Sequence, residues 1–119
     1  MARSVLMVDD DDGFRSLAVG MLCAAGHDRV YKAGTVAGAL TAAAELRPDV
    51  ALLDIGLPDG DGLQLACELA ALPDPPRVVL ISADAGAADD AAAQRVGAVG
   101  FVAKEELGGA QLRRLLDGP

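Results

Sequence analysis

Four short apolar runs punctuate the chain, and each closes on a polar group. Val5-Leu6-Met7-Val8 leads into Asp9-Asp10, Val50-Ala51-Leu52-Leu53 into Asp54, and Val78-Val79-Leu80-Ile81 into Ser82-Ala83-Asp84. The fourth, Val99-Gly100-Phe101-Val102-Ala103, ends at Lys104. Unbroken apolar runs of this length read as strands buried on both faces. Between them the period lengthens to that of a helix. Phe14, Leu17, Ala18, Met21, Leu22 and Ala25 recur at helical spacing until Gly26 stops them. Residues 28–33 make a plausible second strand. A second helix starts at Thr35, a good cap, and carries Val36, Leu40, Ala43 and Ala44 before Pro48 breaks it. Further helices are predicted over 61–72, 86–96 and 106–116, the last presenting Leu112, Leu115 and Leu116; the rigid Pro73-Asp74-Pro75-Pro76 hands the chain to the fourth strand. Five alternations of strand and helix predict an α/β domain, a doubly wound parallel sheet of five strands in the order 2-1-3-4-5.

If the strands run parallel, their carboxyl ends bring Asp9, Asp10, Asp54, Ser82 and Lys104 around one shallow crevice. Two carboxylates about 4 Å apart repel by roughly 4 kcal/mol at an effective dielectric near 20. Three of them call for a cation, and Mg²⁺ suits because it is hard, takes oxygen ligands and shares them with phosphate. A carboxylate can itself be a nucleophile, forming an aspartyl phosphate. Asp54 fits that role, since it ends the most evenly apolar strand and precedes an open turn, Gly56-Leu57-Pro58-Asp59-Gly60-Asp61-Gly62. Asp9 and Asp10 then hold the metal, while Ser82 and Lys104 supply a donor and a compact positive charge for phosphoryl oxygens.

The same residues, in this order, resemble the receiver domain of two-component response regulators, and the resemblance covers essentially the whole chain. Val8-Asp9-Asp10 resembles the acidic pair after the first strand. Leu53-Asp54-Ile55-Gly56-Leu57-Pro58 with Asp61-Gly62 resembles the phosphoacceptor segment, Ser82-Ala83 the Ser/Thr-Ala position, and Phe101-Val102-Ala103-Lys104 the switch aromatic and its lysine. The resemblance implies a flavodoxin-like (βα)5 fold, as in CheY-like proteins, and a bacterial phosphoprotein. Asp54 takes a phosphoryl group from a sensor histidine kinase, a phosphotransfer protein or a small acyl phosphate. Mg²⁺ sits on Asp10, Asp54 and the Gly56 carbonyl, with Asp9 acting through water; Ser82 and Lys104 bind the phosphoryl oxygens. Ser82 and Phe101 form the switch, Phe101 serving equally as core, and the face of helix 4, strand 5 and helix 5 reads out to an effector, a missing output domain or a second copy. The chain is then a phosphoacceptor that catalyses only its own phosphorylation and dephosphorylation, not a turnover enzyme.

Three features depart from the family pattern. Glu105 stands where the family often has proline, Phe101 lacks the hydroxyl of the commoner tyrosine, and Gly56 and Asp84 occupy positions that tune phosphate lifetime. A bare glycine leaves room for water, which Asp84 can orient or repel; together they predict a moderately short-lived phosphoryl group.

Composition adds bounds. The 119 residues suffice for one domain, 1–119, with a core light in aromatics. No run spans a membrane, and Met1-Ala2-Arg3-Ser4 enters a strand without a signal-peptide pattern, predicting a cytoplasmic protein. A net charge of −8 argues against direct nucleic-acid binding. Cys23 and Cys67 read as small buried hydrophobes, and His27 as a surface turn residue. Asp11 and Asp12 read as a solvated helix start. No EF-hand spacing surrounds Gly13 or Gly60. A haloacid-dehalogenase-type phosphatase uses a similar inventory but puts its nucleophile after the first strand. A phosphorylation-independent module usually lacks one of the key groups, all of which are intact here, and a flavin binder needs a phosphate loop and stacking aromatics that this chain lacks.

Overall fold

The computed structural model describes residues 4–27 and 29–117. Strands β1 (Ser4–Val8), β2 (Arg29–Ala33), β3 (Val50–Asp54), β4 (Arg77–Ser82) and β5 (Gly100–Ala103) form one parallel sheet. Their spatial order is β2-β1-β3-β4-β5, the predicted 2-1-3-4-5. The expected start of the second strand at Asp28 lies outside the described residues, as do residues 1–3 and 118–119.

Helices α1 (Asp12–Ala24), α2 (Val36–Leu46), α3 (Gly62–Ala70), α4 (Asp90–Arg95) and α5 (Ala110–Asp117) follow the strands in turn. All five positions of β3 are buried, as are four of five in β1, so these runs read continuous rather than alternating because helices cover both faces. The alternation of side chains still splits them. Leu6, Val8, Ala51, Leu53, Val78, Leu80 and Phe101 pack with α2, α3 and α4, whereas Val5, Met7, Val50, Leu52, Val79, Ile81 and Val102 pack with α1 and α5.

Local chemistry sets the helix ends. Asp11 caps α1 by accepting from the Gly13 and Phe14 N–H groups, Thr35 caps α2 and Asp61 caps α3. At the far end of α1, Gly26 takes φ +102° while its N–H bonds the Cys23 carbonyl and that of His27 bonds the Leu22 carbonyl. This six-to-one closure tucks the residue after the glycine beneath the helix. His27 is accordingly only 7% exposed, not the surface residue expected of a turn. The end of α4 repeats the device, with Gly97 at φ +89° and Ala98 buried.

Other expectations fail for similar local reasons. Helix α4 begins four residues later than predicted, because Asp84 folds the chain into a turn by accepting from the Gly86 N–H and Asp89 then provides the cap. Helix α5 also starts late: a 3₁₀ turn occupies Lys104–Glu106 and Gly108-Gly109 delays the helix to Ala110, although Leu112 and Leu116 are buried as expected. Both cysteines are exposed. Helix α1 buries Ala18 and Leu22, so Cys23 turns away by one helical step, and α3 buries Leu65, Ala66 and Leu69 while Cys67 faces out. Leu17 is 62% exposed, and Ala25 and Ala44 also face solvent, since the buried stripes of α1 and α2 are narrower than their apolar content.

The open turn after Asp54 is more ordered than its sequence implies. Gly56–Leu57 and Gly60–Asp61 pair antiparallel in a small hairpin, and the Asp59 carboxylate caps α2 from a distance, accepting from Val36 N–H at 2.7 Å and Ala37 N–H at 3.2 Å. Gly62 closes the turn: its N–H bonds the Ile55 carbonyl at 2.8 Å, and a Cβ there would stand 2.4 Å from the Asp54 carbonyl oxygen. Gly62→Ala is therefore expected to destabilise by about 2 kcal/mol or more, in the range of overpacked sites. Gly20→Ala, on an exposed helical turn with nothing within 4 Å, is expected to stabilise by about 0.5–1 kcal/mol. Urea melts of the two variants check the opposed signs.

Candidate functional site

The sheet order brings the chemistry together at its carboxyl edge. Asp9 and Asp10 leave β1, Asp54 ends β3, Ser82 ends β4, and Lys104 follows β5. Asp9 is fully buried and Asp54 only 7% exposed, while Asp10 faces solvent. One carboxylate oxygen from each of the three lies within 4.8 Å of the others. Lys104 reaches across β4 and β3 to place Nζ 2.5 Å from Asp9 Oδ2 and 3.3 Å from Asp54 Oδ2.

One ammonium thus serves two carboxylates, and the charges are not evenly matched. Burial, followed by the charge of Asp9, pushes the Asp54 carboxyl above its ordinary pKa, against the opposing pull of Lys104 and the Gly56 N–H. Burial also works against the Lys104 ammonium, but Asp9 and Asp54 together outweigh it and hold its pKa above the usual lysine value. Asp9 Oδ2 is paired with Lys104 and has no other partner among the described residues. Three converging hard oxygens, with a single ammonium beside two of the acids, suit a divalent cation.

Ser82 is placed at the rim, but its Oγ accepts from the Asp84 N–H at 3.0 Å. Its proton stays available to a ligand. Gly56 is exposed, and its N–H lies 3.3 Å from Asp54 Oδ1. Phe101 is 8% exposed and packs in the cluster that includes Ala93 and Ala98, as a core residue does.

Two residues act at the site beyond those predicted. The Phe14 ring lies 4.3 Å beneath Lys104 Nζ, so a residue assigned to the helix core also seats the ammonium. Arg15 donates to the Asp9 carbonyl at 2.5 Å and pairs with Asp12, fixing the loop that carries the acids. Helical spacing places Phe14 on the inner side of α1 but carries no signal of a lysine ninety positions away.

A profile of the response regulator receiver domain matches residues 5–116. The chain belongs to that family. The receiver is 36% identical over 104 residues to the KDP operon transcriptional regulatory protein KdpE of Escherichia coli, covering 85% of this chain and 44% of the relative. It is 38% identical over 105 residues to the DNA-binding transcriptional activator DevR/DosR of Mycobacterium tuberculosis, covering 85% and 47%. The chain spans about half the length of these curated relatives. The structure of the NarL signal receiver domain from Mycobacterium tuberculosis superposes with a TM-score of 0.84 at 35% identity, covering 99% of this chain and 98% of that one. This is a receiver domain of the two-component response regulators, with the five-stranded fold of the CheY-like proteins. Among the described residues no helix is long and apolar enough to cross a membrane.

The charge balance of the receiver gives a prediction. Because the folded-state pKa of Asp54 lies above its unfolded value, the folded protein binds the proton more tightly, and ionised Asp54 weakens it at neutral pH. In EDTA at pH 7, Asp54→Asn is expected to raise stability by about 1 kcal/mol, roughly 4 °C in Tm. The advantage shrinks as pH falls from the raised pKa toward 3.8, where protonation relieves the wild type as well. Thermal melts of both proteins across pH 4–7 check the sign.

Proposed function

We propose that Asp54 is the phosphoacceptor of this receiver and that phosphorylation there sets its signalling state. The single observation that supports this most is the crossing of Lys104 from β5 to both Asp9 and Asp54, which places a fixed cation beside the one acid that faces the open turn. A carboxylate oxygen of Asp54 attacks phosphorus of a phosphohistidine, the P–N bond breaks, and imidazole leaves with the bonding pair and takes up a proton. Lys104 shifts from the carboxylate pair toward the incoming phosphoryl oxygens, and the Ser82 proton turns to another of them. Asp10, Asp54 and the Gly56 carbonyl would hold Mg²⁺, with Asp9 assisting through water. The metal supplies Lewis-acid neutralisation of the acids and of the phosphoryl charge.

A sensor histidine kinase or phosphotransfer protein is the proposed donor, and acetyl phosphate a small-molecule substitute. The phosphoryl group adds roughly two negative charges. These draw Ser82 and Lys104 inward and alter the face of α4, β5 and α5, where an effector, an output domain or a second copy would read the state. The domain modifies itself once per donor rather than turning substrate over, and a cytoplasmic site of action accords with a kinase partner.

Intact-mass spectrometry after incubation with acetyl phosphate tests the reading. A single adduct is expected that needs Mg²⁺ and is absent from Asp54→Ala; an adduct retained by Asp54→Ala, or none from any donor including a kinase, overturns it. Gly56 offers open space around its would-be Cβ. Gly56→Asn is therefore expected to fold normally and to slow loss of the phosphoryl group several-fold by crowding the attacking water; an unchanged decay rate counts against that role.

A further inference from the structure

The open edge of β5 is closed by two side chains from its flanking helices. Phe101 turns both of its backbone groups to that edge. Its N–H donates to Asp90 Oδ1 at 3.0 Å, and its carbonyl accepts from Gln111 Nε2 at 3.3 Å. Asp90 is the first residue of α4 and Gln111 the second of α5, so both helices are bonded to a single residue of the strand. Gly100 makes room for this. A Cβ there would stand 3.1 Å from Asp90 Oδ1 and 3.0 Å from Leu115 Cδ1, so the missing side chain is what admits the carboxylate.

Edge strands ordinarily leave such groups to water or to a pairing partner. Here the position of β5 bears directly on the site, because Lys104 follows it immediately, three residues after Phe101. On one side β5 is held by its ladder to β4, from Gly100 to Ala103. Beyond Lys104 the chain runs through a short 3₁₀ turn, anchored by the buried Leu107, and then two glycines. The second side of β5 is held by Asp90 and Gln111.

We propose that Asp90, seconded by Gln111, is a positioning residue for phosphoryl transfer: by bonding the Phe101 backbone it fixes β5, and through it the reach of Lys104 to Asp9 and Asp54. The proposal rests on Asp54 as acceptor and Lys104 as the phosphoryl-binding cation. A small displacement of a charge-stabilising group costs rate steeply, up to about a hundredfold for 1 Å. The same bond couples α4 to β5, so the start of α4 and the strand that carries Lys104 move as one body.

The test compares wild type with Asp90→Ala, Asp90→Asn and Gln111→Ala, reading both acetyl-phosphate labelling at saturating Mg²⁺ and backbone amide exchange of the unphosphorylated protein. Asp90→Ala is expected to label about five- to twentyfold more slowly and to exchange the Phe101 amide at least tenfold faster. Asp90→Asn keeps an acceptor oxygen and is expected to stay within about twofold of wild type on both. Gln111→Ala, a milder change that keeps the fold if Asp90→Ala does not, is expected to slow labelling two- to threefold. A purely structural role would lower Tm in Asp90→Ala and leave the labelling rate of the folded protein unchanged, which overturns the proposal; so does Asp90→Asn matching Asp90→Ala in rate. Failure of wild type itself to label overturns the phosphoacceptor reading instead, and the hold on β5 then stands or falls on amide exchange alone.

Discussion

Three carboxylates at the ends of two adjacent strands, with one ammonium between two of them, form the constraint around which the molecule is arranged. In water such a group would disperse. The sheet prevents this, because Asp9 and Asp54 end apolar runs buried on both faces, and a one-residue slip of either strand would swap its side chains between the two helix-covered cores. The repulsion is therefore held in place by the core. Lys104 offsets part of it from two strands away, and a long unbranched side chain with a compact charge is what that reach requires. Phe14 beneath the ammonium, Arg15 on the Asp9 carbonyl and Asp90 on the β5 edge all bear on the placement of these charges.

That imbalance is also the source of the chemistry. With the Asp54 pKa raised by burial and by Asp9, and Lys104 divided between two acids, the pocket holds unrelieved negative charge at neutral pH. A divalent cation would relieve it, and in the proposed transfer a phosphoryl group arriving with that cation would give Lys104 a better partner than either carboxylate. In the proposed transfer, metal binding and phosphorylation would share this one electrostatic origin and would be thermodynamically linked through it.

The sheet and the acid pocket were legible because both depend on the simplest pattern in the chain, apolar runs that end in polar groups. Strand ends locate the residues after them, so Asp9, Asp10, Asp54, Ser82 and Lys104 could be gathered from topology alone. Helix limits were less legible. The start of α4 is decided by Asp84 and Asp89 competing for nearby N–H groups, and that of α5 by two glycines, neither of which disturbs the apolar period. The burial of His27 follows from a left-handed glycine closing α1, a three-dimensional consequence that a linear reading as "turn" reversed, whereas Cys23 is exposed because it stands one helical step from the buried Leu22. Phe14 and Asp90 meet partners ninety and eleven positions away, distances at which no local pattern speaks.

Many of the aspartates among the described residues serve the backbone and not the site. Asp11, Asp49, Asp59, Asp61, Asp84, Asp89 and Asp90 each accept a hydrogen bond from a backbone N–H, mostly at helix starts and turns, where a carboxylate is favoured. Their negative charge is a by-product of how this chain caps its helices and turns. Part of the charge of −8 is therefore structural, while Asp9, Asp10 and Asp54 converge at the site. Asp9 serves both: Oδ1 accepts from the Asp11 N–H at 2.9 Å, whereas Oδ2 faces Lys104 in the buried pocket. One oxygen fixes the side chain and the other is left to the site, so the same residue that orders the loop also carries its charge. This division explains why the second carboxylate oxygen can be given over to Lys104 without the loop giving way.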